Sequence, residues 1–271
     1  MIGVIGRRGS QGLRQALSLV HSVAGERAIF SSDLADEAPA GARLEDMEKI
    51  SALADAFLSL GGDGTLLEAA RLARGRPVAG VNLGFLGFLA FYHLEELESL
   101  VKAILKGDYA TEERACLEVE RGGGKDVGLN DITLLGTRAR MLSIEVHRNR
   151  DFVLRYRGDG LIISTPTGST AYNLAAGGPI LYPSLDAMVL APICAHSLTV
   201  RPIVLPSDSE LWVSAESRGE KMLLSADGRE SFILEPSDAF TVRMSEQKAR
   251  FVRTSWAPDF FSVLRKKLEW G

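Results

Sequence analysis

The stretch that decides the fold is Ala56-Phe57-Leu58-Ser59-Leu60-Gly61-Gly62-Asp63-Gly64-Thr65. An apolar run of strand length leads into a glycine-rich turn, and the residues from Leu66 to Ala73 that follow have the character of a helix. Glycine lets a backbone approach an anion closely, and the free N–H groups at a helix start point toward that anion. The combination of strand, glycine turn and helix therefore predicts a phosphate-binding turn.

Asp63 distinguishes this turn from an ordinary phosphate loop. Because a carboxylate repels phosphate, its presence indicates chemistry: it could hold a metal that carries the phosphate, or accept a proton from a hydroxyl that attacks it. The structural alternative makes Asp63 the N-cap of the helix. The chain has no Gly-x-x-x-x-Gly-Lys-Ser/Thr motif, which argues against a P-loop enzyme.

The composition is that of a globular protein. The chain has 271 residues, of which 46% are hydrophobic and 24% charged, enough for one large domain or two ordinary ones. A net charge of −4 gives no reason to expect nucleic acid or an anionic membrane as a partner. No signal peptide or membrane helix is visible, and two cysteines are too few for a disulfide framework. We therefore expect a soluble, cytoplasmic protein.

The periodicity of apolar residues changes along the chain. Strand-like and helical runs alternate over the first hundred residues, which predicts a Rossmann-like α/β domain with a parallel sheet. Beyond about residue 110, apolar residues recur at every second position, which predicts an all-β, sandwich-like domain. Phe261, Leu264 and Leu268 share one face of a terminal helix, which we expect to return to the first domain. The predicted domains are 1–92 with 250–271, and 93–249.

Polar segments of the second domain are candidates for binding. Asn130-Asp131 could bind the vicinal hydroxyls of a ribose, although an Asx turn before a strand is the better explanation of the pair taken alone. Arg157-Gly158-Asp159-Gly160 is typical of a bulged turn, and Asp227-Gly228 of a plain hairpin turn. The hydroxyl-rich run 165–173 favours a polar ligand over a helix-capping loop, because buried hydroxyls need hydrogen-bond partners.

Taken together, these segments resemble the NAD kinase family. Its motif Gly-Gly-Asp-Gly-Thr is matched at 61–65, Gly-Val-Asn-x-Gly-x-Leu-Gly-Phe-Leu at 80–89, the Asn-Asp pair at 130–131, and Asp-Gly-x-x-x-Ser-Thr-Pro-Thr-Gly-Ser-Thr-Ala-Tyr at 159–172. The resemblance implies an α/β domain, a β domain that binds NAD, and a site between them. It also implies transfer of a terminal phosphoryl group to the adenosine ribose 2′-hydroxyl of NAD, which gives NADP.

The resemblance further implies roles for single residues. Asp63 would be the general base, or the group that places the attacking hydroxyl and the metal. Asn130 and Asp131 would hold the adenosine ribose, while Arg157 and Asp159 would reach the nicotinamide end from a neighbouring subunit. The phosphate-binding residues would be Gly61, Gly62, Gly64 and Thr65. The NAD-binding residues would be Asp63, Gly64, Asn130, Asp131, Arg140, Arg157, Asp159, Thr170, Ala171, Tyr172, Asn173 and Ala175.

Cofactors and partners also follow from the resemblance. It implies ATP or polyphosphate as phosphate donor, Mg²⁺ or Mn²⁺ bound with the donor rather than at a dedicated site, and a homodimer or homotetramer. Two rivals stay open. A lipid or sugar kinase would keep 61–65 but would have no reason for Asn130-Asp131 together with 165–172, and a non-catalytic dinucleotide sensor would tolerate loss of Asp63. The chain departs from the family in having Arg229 where a polar uncharged residue is frequent.

Overall fold

A computed structural model describes residues 1–84, 87–137, 141–217 and 219–270. The chain forms two compact units, one of Met1–Glu113 with the C-terminal segment from Ala249, the other of Arg114–Lys248. The first unit extends beyond the predicted boundary at residue 92. The reason is that the helix Leu97–Lys106 buries Leu97, Leu100 and Val101 in the same core as the helix Leu13–Ala24.

Helices and strands are numbered in chain order. The helices are α1 (Leu13–Ala24), α2 (Met47–Leu53), α3 (Asp63–Ala73), α4 (Leu97–Lys106), α5 (Tyr172–Ala175) and α6 (Phe260–Leu268). The strands are β1 (Ile2–Gly6), β2 (Ala28–Ser31), β3 (Leu44–Glu45), β4 (Ala56–Gly61), β5 (Pro77–Asn82), β6 (Tyr92–His93), β7 (Ala110–Arg114), β8 (Leu117–Arg121), β9 (Gly124–Gly128), β10 (Asp131–Gly136), β11 (Leu142–Arg148), β12 (Asp151–Gly158), β13 (Gly160–Ser164), β14 (Ala187–Ile193), β15 (Ile203–Pro206), β16 (Leu211–Glu216), β17 (Met222–Ala226), β18 (Arg229–Leu234), β19 (Ala239–Met244) and β20 (Ala249–Arg253).

The first unit is built on one sheet with strand order β3-β2-β1-β4-β5-β20-β7, and β6 pairs with β5. Strand β1 runs parallel to β2 and β4, and β5 runs parallel to β4 and β20. The run 3-2-1-4-5 is the strand order of a Rossmann-type sheet, which confirms the predicted α/β fold. Because parallel strands end at the same edge of a sheet, the turns after β1, β4 and β5 lie side by side there.

The terminal helix α6 belongs to the first unit, as predicted. Val263 is part of the core that also contains Val252 of β20, and the ammonium of Lys267 lies 5.5 Å from the centre of the Phe88 ring. The buried face agrees with the prediction at Leu264 but differs at its start, because Val263 is buried whereas Phe261 is 54% exposed. Of the described residues, no helix is long and apolar enough to cross a membrane.

The second unit is a β-sandwich, which confirms the predicted all-β domain. One six-stranded sheet has the order β15-β14-β13-β10-β17-β18, and the other β12-β11-β16-β19-β8-β9. Their pairings are antiparallel. Apolar side chains of both sheets form one core, for example Ile132 of β10 with Leu117 of β8 and Ile144 of β11. The period-two pattern of the sequence therefore marks the residues that face this core.

Candidate active site

The glycine turn after β4 leads directly into α3. Gly62 is the N-cap, with extended backbone and no side-chain cap, and Asp63 is the first helical residue. The alternative in which Asp63 caps the helix is therefore wrong. Its carboxylate turns instead to residues 88–90, where Oδ2 accepts the N–H of Phe88 at 2.8 Å and Oδ1 accepts those of Leu89 and Ala90 at 3.1 and 2.8 Å. Three donors from one loop fix the orientation of this carboxylate.

Two glycines permit this close approach. A Cβ at Gly87 would lie 1.9 Å from Asp63 Oδ1, so no other residue fits there without moving the carboxylate. A Cβ at Gly61 would lie 2.5 Å from Thr65 Oγ1, which would push the turn away from the first turn of α3. The alternation of glycine and apolar residues after β5 thus has a local purpose, because it brings backbone N–H groups to Asp63. Phe85 and Leu86 of the same motif lie outside the described residues.

The turn itself offers a place for an anion. A Cβ at Gly62 or Gly64 would meet nothing within 4 Å, so open space lies over the start of α3. The first N–H groups of a helix have no partner within it, and the helix dipole adds a partial positive charge there. The assignment of phosphate binding to Gly61, Gly62, Gly64 and Thr65 stays a prediction that this geometry supports.

Arg7 is a candidate that the sequence prediction missed. Its N–H donates to the carbonyl of Leu60 at 3.0 Å, and its Cβ lies 3.3 Å from where a Cβ of Gly61 would be. The side chain is exposed, so a guanidinium is available beside the glycine turn. The signal in the sequence was its place directly after β1, because the end of a parallel strand next to β4 lies at the same edge of the sheet.

Asp131 begins β10 and is 5% exposed. The hydroxyl of Thr133 donates to its Oδ1 at 2.9 Å. Burial raises the pKa of the Asp131 carboxyl to about 6; the bond from Thr133 acts against that rise, and the nearby charge of Asp227 adds to it. This carboxyl is therefore mostly ionised at neutral pH and takes up a proton in mild acid.

Asp227 is the second residue that sequence reasoning missed. It was predicted to form a plain hairpin turn, and it does join β17 to β18 with φ of 51°. Its carboxylate also accepts three consecutive backbone N–H groups: those of Leu129 at 2.8 Å, Asn130 at 2.6 Å and Asp131 at 3.2 Å. Burial raises the pKa of the Asp227 carboxyl, and these three bonds act against the rise. The sequence carried no signal for these contacts, since the partners are 96 to 98 positions apart.

The hydroxyl-rich run packs directly on Asn130. Thr165 donates from Oγ1 to the carbonyl of Leu129 at 2.6 Å and from its N–H to that of Asn130 at 2.9 Å. A Cβ at Gly168 would lie 2.0 Å from the Asn130 carbonyl oxygen. The hydroxyl of Ser169 donates to the carbonyl of Pro166 and accepts the N–H of Leu181. For Thr165 and Ser169, therefore, the protein itself supplies the partners that we expected from a ligand.

Five predicted NAD-binding residues lie on the short helix α5 or directly before it. Tyr172 is 42% exposed and Ala175 is exposed, while Thr170 and Ala171 are half-buried, so these four are accessible. Asn173 is buried instead, and its amide donates to the carbonyls of Ser169 and Pro179 at 3.0 and 3.1 Å. These bonds brace the loop from inside. Arg140 lies outside the described residues.

The structure does not bring Arg157 and Asp159 next to Asn130-Asp131. Asp131 pairs with Ser164 at one end of β13, whereas Asp159 precedes Gly160 at the other. Gly160 and Ser164 are four residue steps apart along the strand, a distance of about 13 Å. Both side chains are exposed, and Asp159 accepts a hydrogen bond from Cys194 that raises the pKa of that thiol. Within one chain they therefore form a separate group.

The family model "ATP-NAD kinase N-terminal domain" matches residues 22–109, and "ATP-NAD kinase C-terminal domain" matches residues 129–254. An NAD kinase of Geobacter metallireducens is 45% identical over 232 residues, covering 83% of this chain and 82% of its own length. One of Gemmatimonas aurantiaca is 39% identical over 282 residues, covering 100% and 96%.

Two crystal structures share the fold. Yeast NADH kinase complexed with NADH superposes with a TM-score of 0.90 at 24% identity, covering 100% of this chain and 87% of the yeast chain. An NAD kinase from Archaeoglobus fulgidus in complex with ATP gives a TM-score of 0.78 at 24% identity, covering 99% of both chains. Because two family models match most of the sequence and relatives of about 40% identity cover nearly all of it, the chain belongs to the NAD kinase family.

Proposed function

We propose that this chain is an NAD kinase that transfers the terminal phosphoryl group of ATP to the adenosine ribose 2′-hydroxyl of NAD. The observation that carries the proposal is the Asp63 carboxylate, which three backbone N–H groups hold at the start of α3 in a glycine turn open to an anion. Family membership supports NAD as the acceptor. ATP as donor is supported by the names of the two matching family models.

In the proposed reaction the 2′-oxygen attacks the terminal phosphorus of ATP. The bond from that phosphorus to the bridging oxygen breaks, which gives NADP and ADP, and the hydroxyl proton passes to Asp63 and then to solvent. A carboxylate has about four lone-pair positions, and three N–H groups use three of them at Asp63. One position is left for the hydroxyl, so Asp63 orients the nucleophile as well as accepting its proton.

The unpaired N–H groups at the start of α3 and the guanidinium of Arg7 would offset the charge of the phosphates. We infer that Mg²⁺ or Mn²⁺ enters with ATP as part of the substrate. Within the described ranges no three His, Cys, Asp or Glu side chains lie close enough to hold a metal ion together, and the carboxylate of Asp63 is already engaged. These residues do not fit a resident metal site.

For the acceptor, Asn130 and Asp131 would bind the ribose. Thr170, Ala171 and Tyr172, which are all at least partly accessible, would frame the adenine. As the resemblance implies, Arg157 and Asp159 would act on the nicotinamide end of NAD held by a neighbouring subunit, and both side chains are exposed and so available to it. A homodimer or homotetramer follows from that inference. Cytoplasmic location is part of the same proposal, since ATP and NAD must both be available.

The first experiment is an assay of NADP formation by purified protein with NAD, ATP and Mg²⁺, coupled to an NADP-specific dehydrogenase. Signal that needs all three components is expected. Signal with polyphosphate but not with ATP would keep the acceptor and change the donor. Measurable NAD binding without transfer from any donor would favour the dinucleotide sensor, and phosphorylation of a lipid or sugar alone would favour the rival kinase.

Asp63→Asn tests the catalytic assignment. We expect NAD binding to stay largely intact and the rate to fall by about three orders of magnitude or more, because the amide cannot accept the proton. The control is Asp259→Asn, which changes an exposed aspartate that caps α6 in the same unit and should leave kcat unchanged. Full activity of Asp63→Asn would disprove the assignment.

A further inference from the structure

Asp227 serves a segment far from its own turn. Its carboxylate accepts the N–H groups of three consecutive residues, Leu129, Asn130 and Asp131. Successive N–H groups that converge on one anion form a compact backbone nest. The N–H of Asp227 also donates to the carbonyl of Asp131 at 3.0 Å, so contacts run in both directions. The backbone donors on both sides of Asn130 are thereby fixed.

The carbonyls of the same segment are fixed from the opposite direction. Thr165 donates its hydroxyl to the Leu129 carbonyl and its N–H to the Asn130 carbonyl, and Ser164 Oγ adds a bond to the latter at 3.2 Å. Thr165 and Ser164 are buried, where hydrogen bonds are strong because water does not compete. Both faces of the Leu129–Asn130 backbone are held, and this sets the directions of the side chains that follow.

The turn at Asp227 does not itself need a carboxylate. A two-residue hairpin loop whose residues both have positive φ, here 51° at Asp227 and 73° at Gly228, forms equally well with Asn-Gly. Asp227 is half-buried beside Asp131, and the loss of hydration there raises the pKa of its carboxyl, so its charge is unfavourable. A costly carboxylate in a turn that asparagine could form indicates a purpose other than folding.

We propose that Asp227 and Thr165 are positioning residues for the acceptor dinucleotide: they fix the backbone of 129–131 so that Asn130 and Asp131 can bind the ribose hydroxyls. This inference rests on the proposed NAD kinase function. Neither residue needs to touch the substrate, since both act through the segment that they hold. Sites of this kind depend on the residues that orient the binding groups as much as on the binding groups themselves.

Asp227→Asn is the main test. Asparagine keeps the size of the side chain and tolerates positive φ, but its amide nitrogen cannot accept an N–H. We expect KM for NAD to rise about tenfold or more, with KM for ATP and kcat at saturating NAD changed less than about threefold. The matched control is Asp126→Asn on β9, a partly buried carboxylate that also accepts a backbone N–H, that of Val127, and whose side-chain partners are Arg229 and Ser231. It should leave both KM values unchanged.

A double-mutant cycle separates positioning from general stability. Because Asp227 acts partly through Asn130, the loss of NAD affinity caused by Asp227→Asn should be smaller in the Asn130→Ala background than in the wild type. If the two substitutions weaken NAD binding independently, so that their fold-changes multiply in the double variant, the proposal is overturned. Equal rises in KM for NAD and KM for ATP in Asp227→Asn would also overturn it. If Asp227→Asn does not fold, Thr165→Val tests the same segment from its carbonyls and should show the same selective rise in KM for NAD.

Direct NAD binding, measured by calorimetry, distinguishes this inference from the proposed function. Wild-type protein that binds NAD without transferring phosphate would disprove the kinase, and Asp227→Asn should still bind NAD about tenfold more weakly. If Asp227→Asn and Thr165→Val both bind NAD as tightly as the wild type does, the positioning role is overturned while the proposed kinase function stands. Absence of NAD binding by the wild type would overturn both.

Discussion

Replacing Asp131 by asparagine should stabilise the protein at neutral pH while it weakens NAD binding. The carboxyl is 5% exposed, and burial raises its pKa from 3.8 to about 6. At about 1.4 kcal/mol per pKa unit, a rise of about 2 units costs about 3 kcal/mol once the group is ionised in both folded and unfolded chains. Asparagine has the same size and keeps an oxygen for the Thr133 hydroxyl, so the variant avoids that cost.

The raised pKa of Asp131 determines how the stability of the protein depends on pH. Below about pH 4 the carboxyl is protonated in both states and carries no cost. Between about pH 4 and 6 the unfolded chain ionises first, so stability falls as pH rises through the folded pKa of about 6. We therefore expect Asp131→Asn to match the wild type near pH 4 and to exceed it by up to about 3 kcal/mol near pH 8.

The assay is urea unfolding at about pH 4 and about pH 8, followed by tryptophan fluorescence. Trp212 lies on β16 in the second unit, while Trp256 and Trp270 belong to the first unit. A background of Trp256→Phe and Trp270→Phe therefore makes the signal report on the unit that holds Asp131. Both replaced side chains are about half exposed, so these changes should cost little.

Asp126→Asn is the control of opposite sign. Burial raises the pKa of Asp126, but bonds from Ser231, the Val127 N–H and Arg229 outweigh burial and hold the pKa below its usual value. That carboxylate stabilises the fold above the unfolded pKa, so the variant should be less stable than the wild type near pH 8. An equal stability difference between Asp131→Asn and the wild type at both pH values would refute the reasoning, because no raised pKa would then exist.

Two glycine variants test the close approaches in the site. Gly87→Ala would displace the Asp63 carboxylate, so we expect kcat in the coupled assay to fall about 100-fold while NAD affinity, measured by calorimetry, is retained. The control is Gly84→Ala, because a Cβ at Gly84 would have no atom nearer than 3.9 Å. An unchanged kcat in Gly87→Ala would contradict the role of Gly87. Gly168→Ala would push the Asn130 carbonyl, so NAD affinity should fall about tenfold. The free energy of unfolding of the second unit, measured in urea, should fall by about 1–3 kcal/mol. Retained NAD affinity would contradict this prediction and show that the loop around Gly168 moves without disturbing Asn130.

Much of the fold was accessible from the sequence because its signals are local. The apolar run of β4, the glycine turn and α3 stand next to one another, and their periodicity reports which faces are buried. The period-two pattern likewise predicted the sandwich, since alternate residues of a strand point to one core. The same locality explains the errors. Periodicity could not tell to which unit α4 belongs, or which face of α6 would be covered.

For the candidate site, too, local sequence signals and long-range contacts account for different features. The sequence by itself identified the candidate residues for the proposed chemistry: Asp63 in its turn, and Asn130-Asp131 before a strand. Only the tertiary structure decided how those groups are held. Asp63 is oriented by N–H groups 25 to 27 positions away, and Asn130-Asp131 by the carboxylate of Asp227 from 96 to 97 positions away. A hydrogen bond between a side chain and a distant backbone group leaves no periodic pattern, because its geometry exists only after the strands have paired.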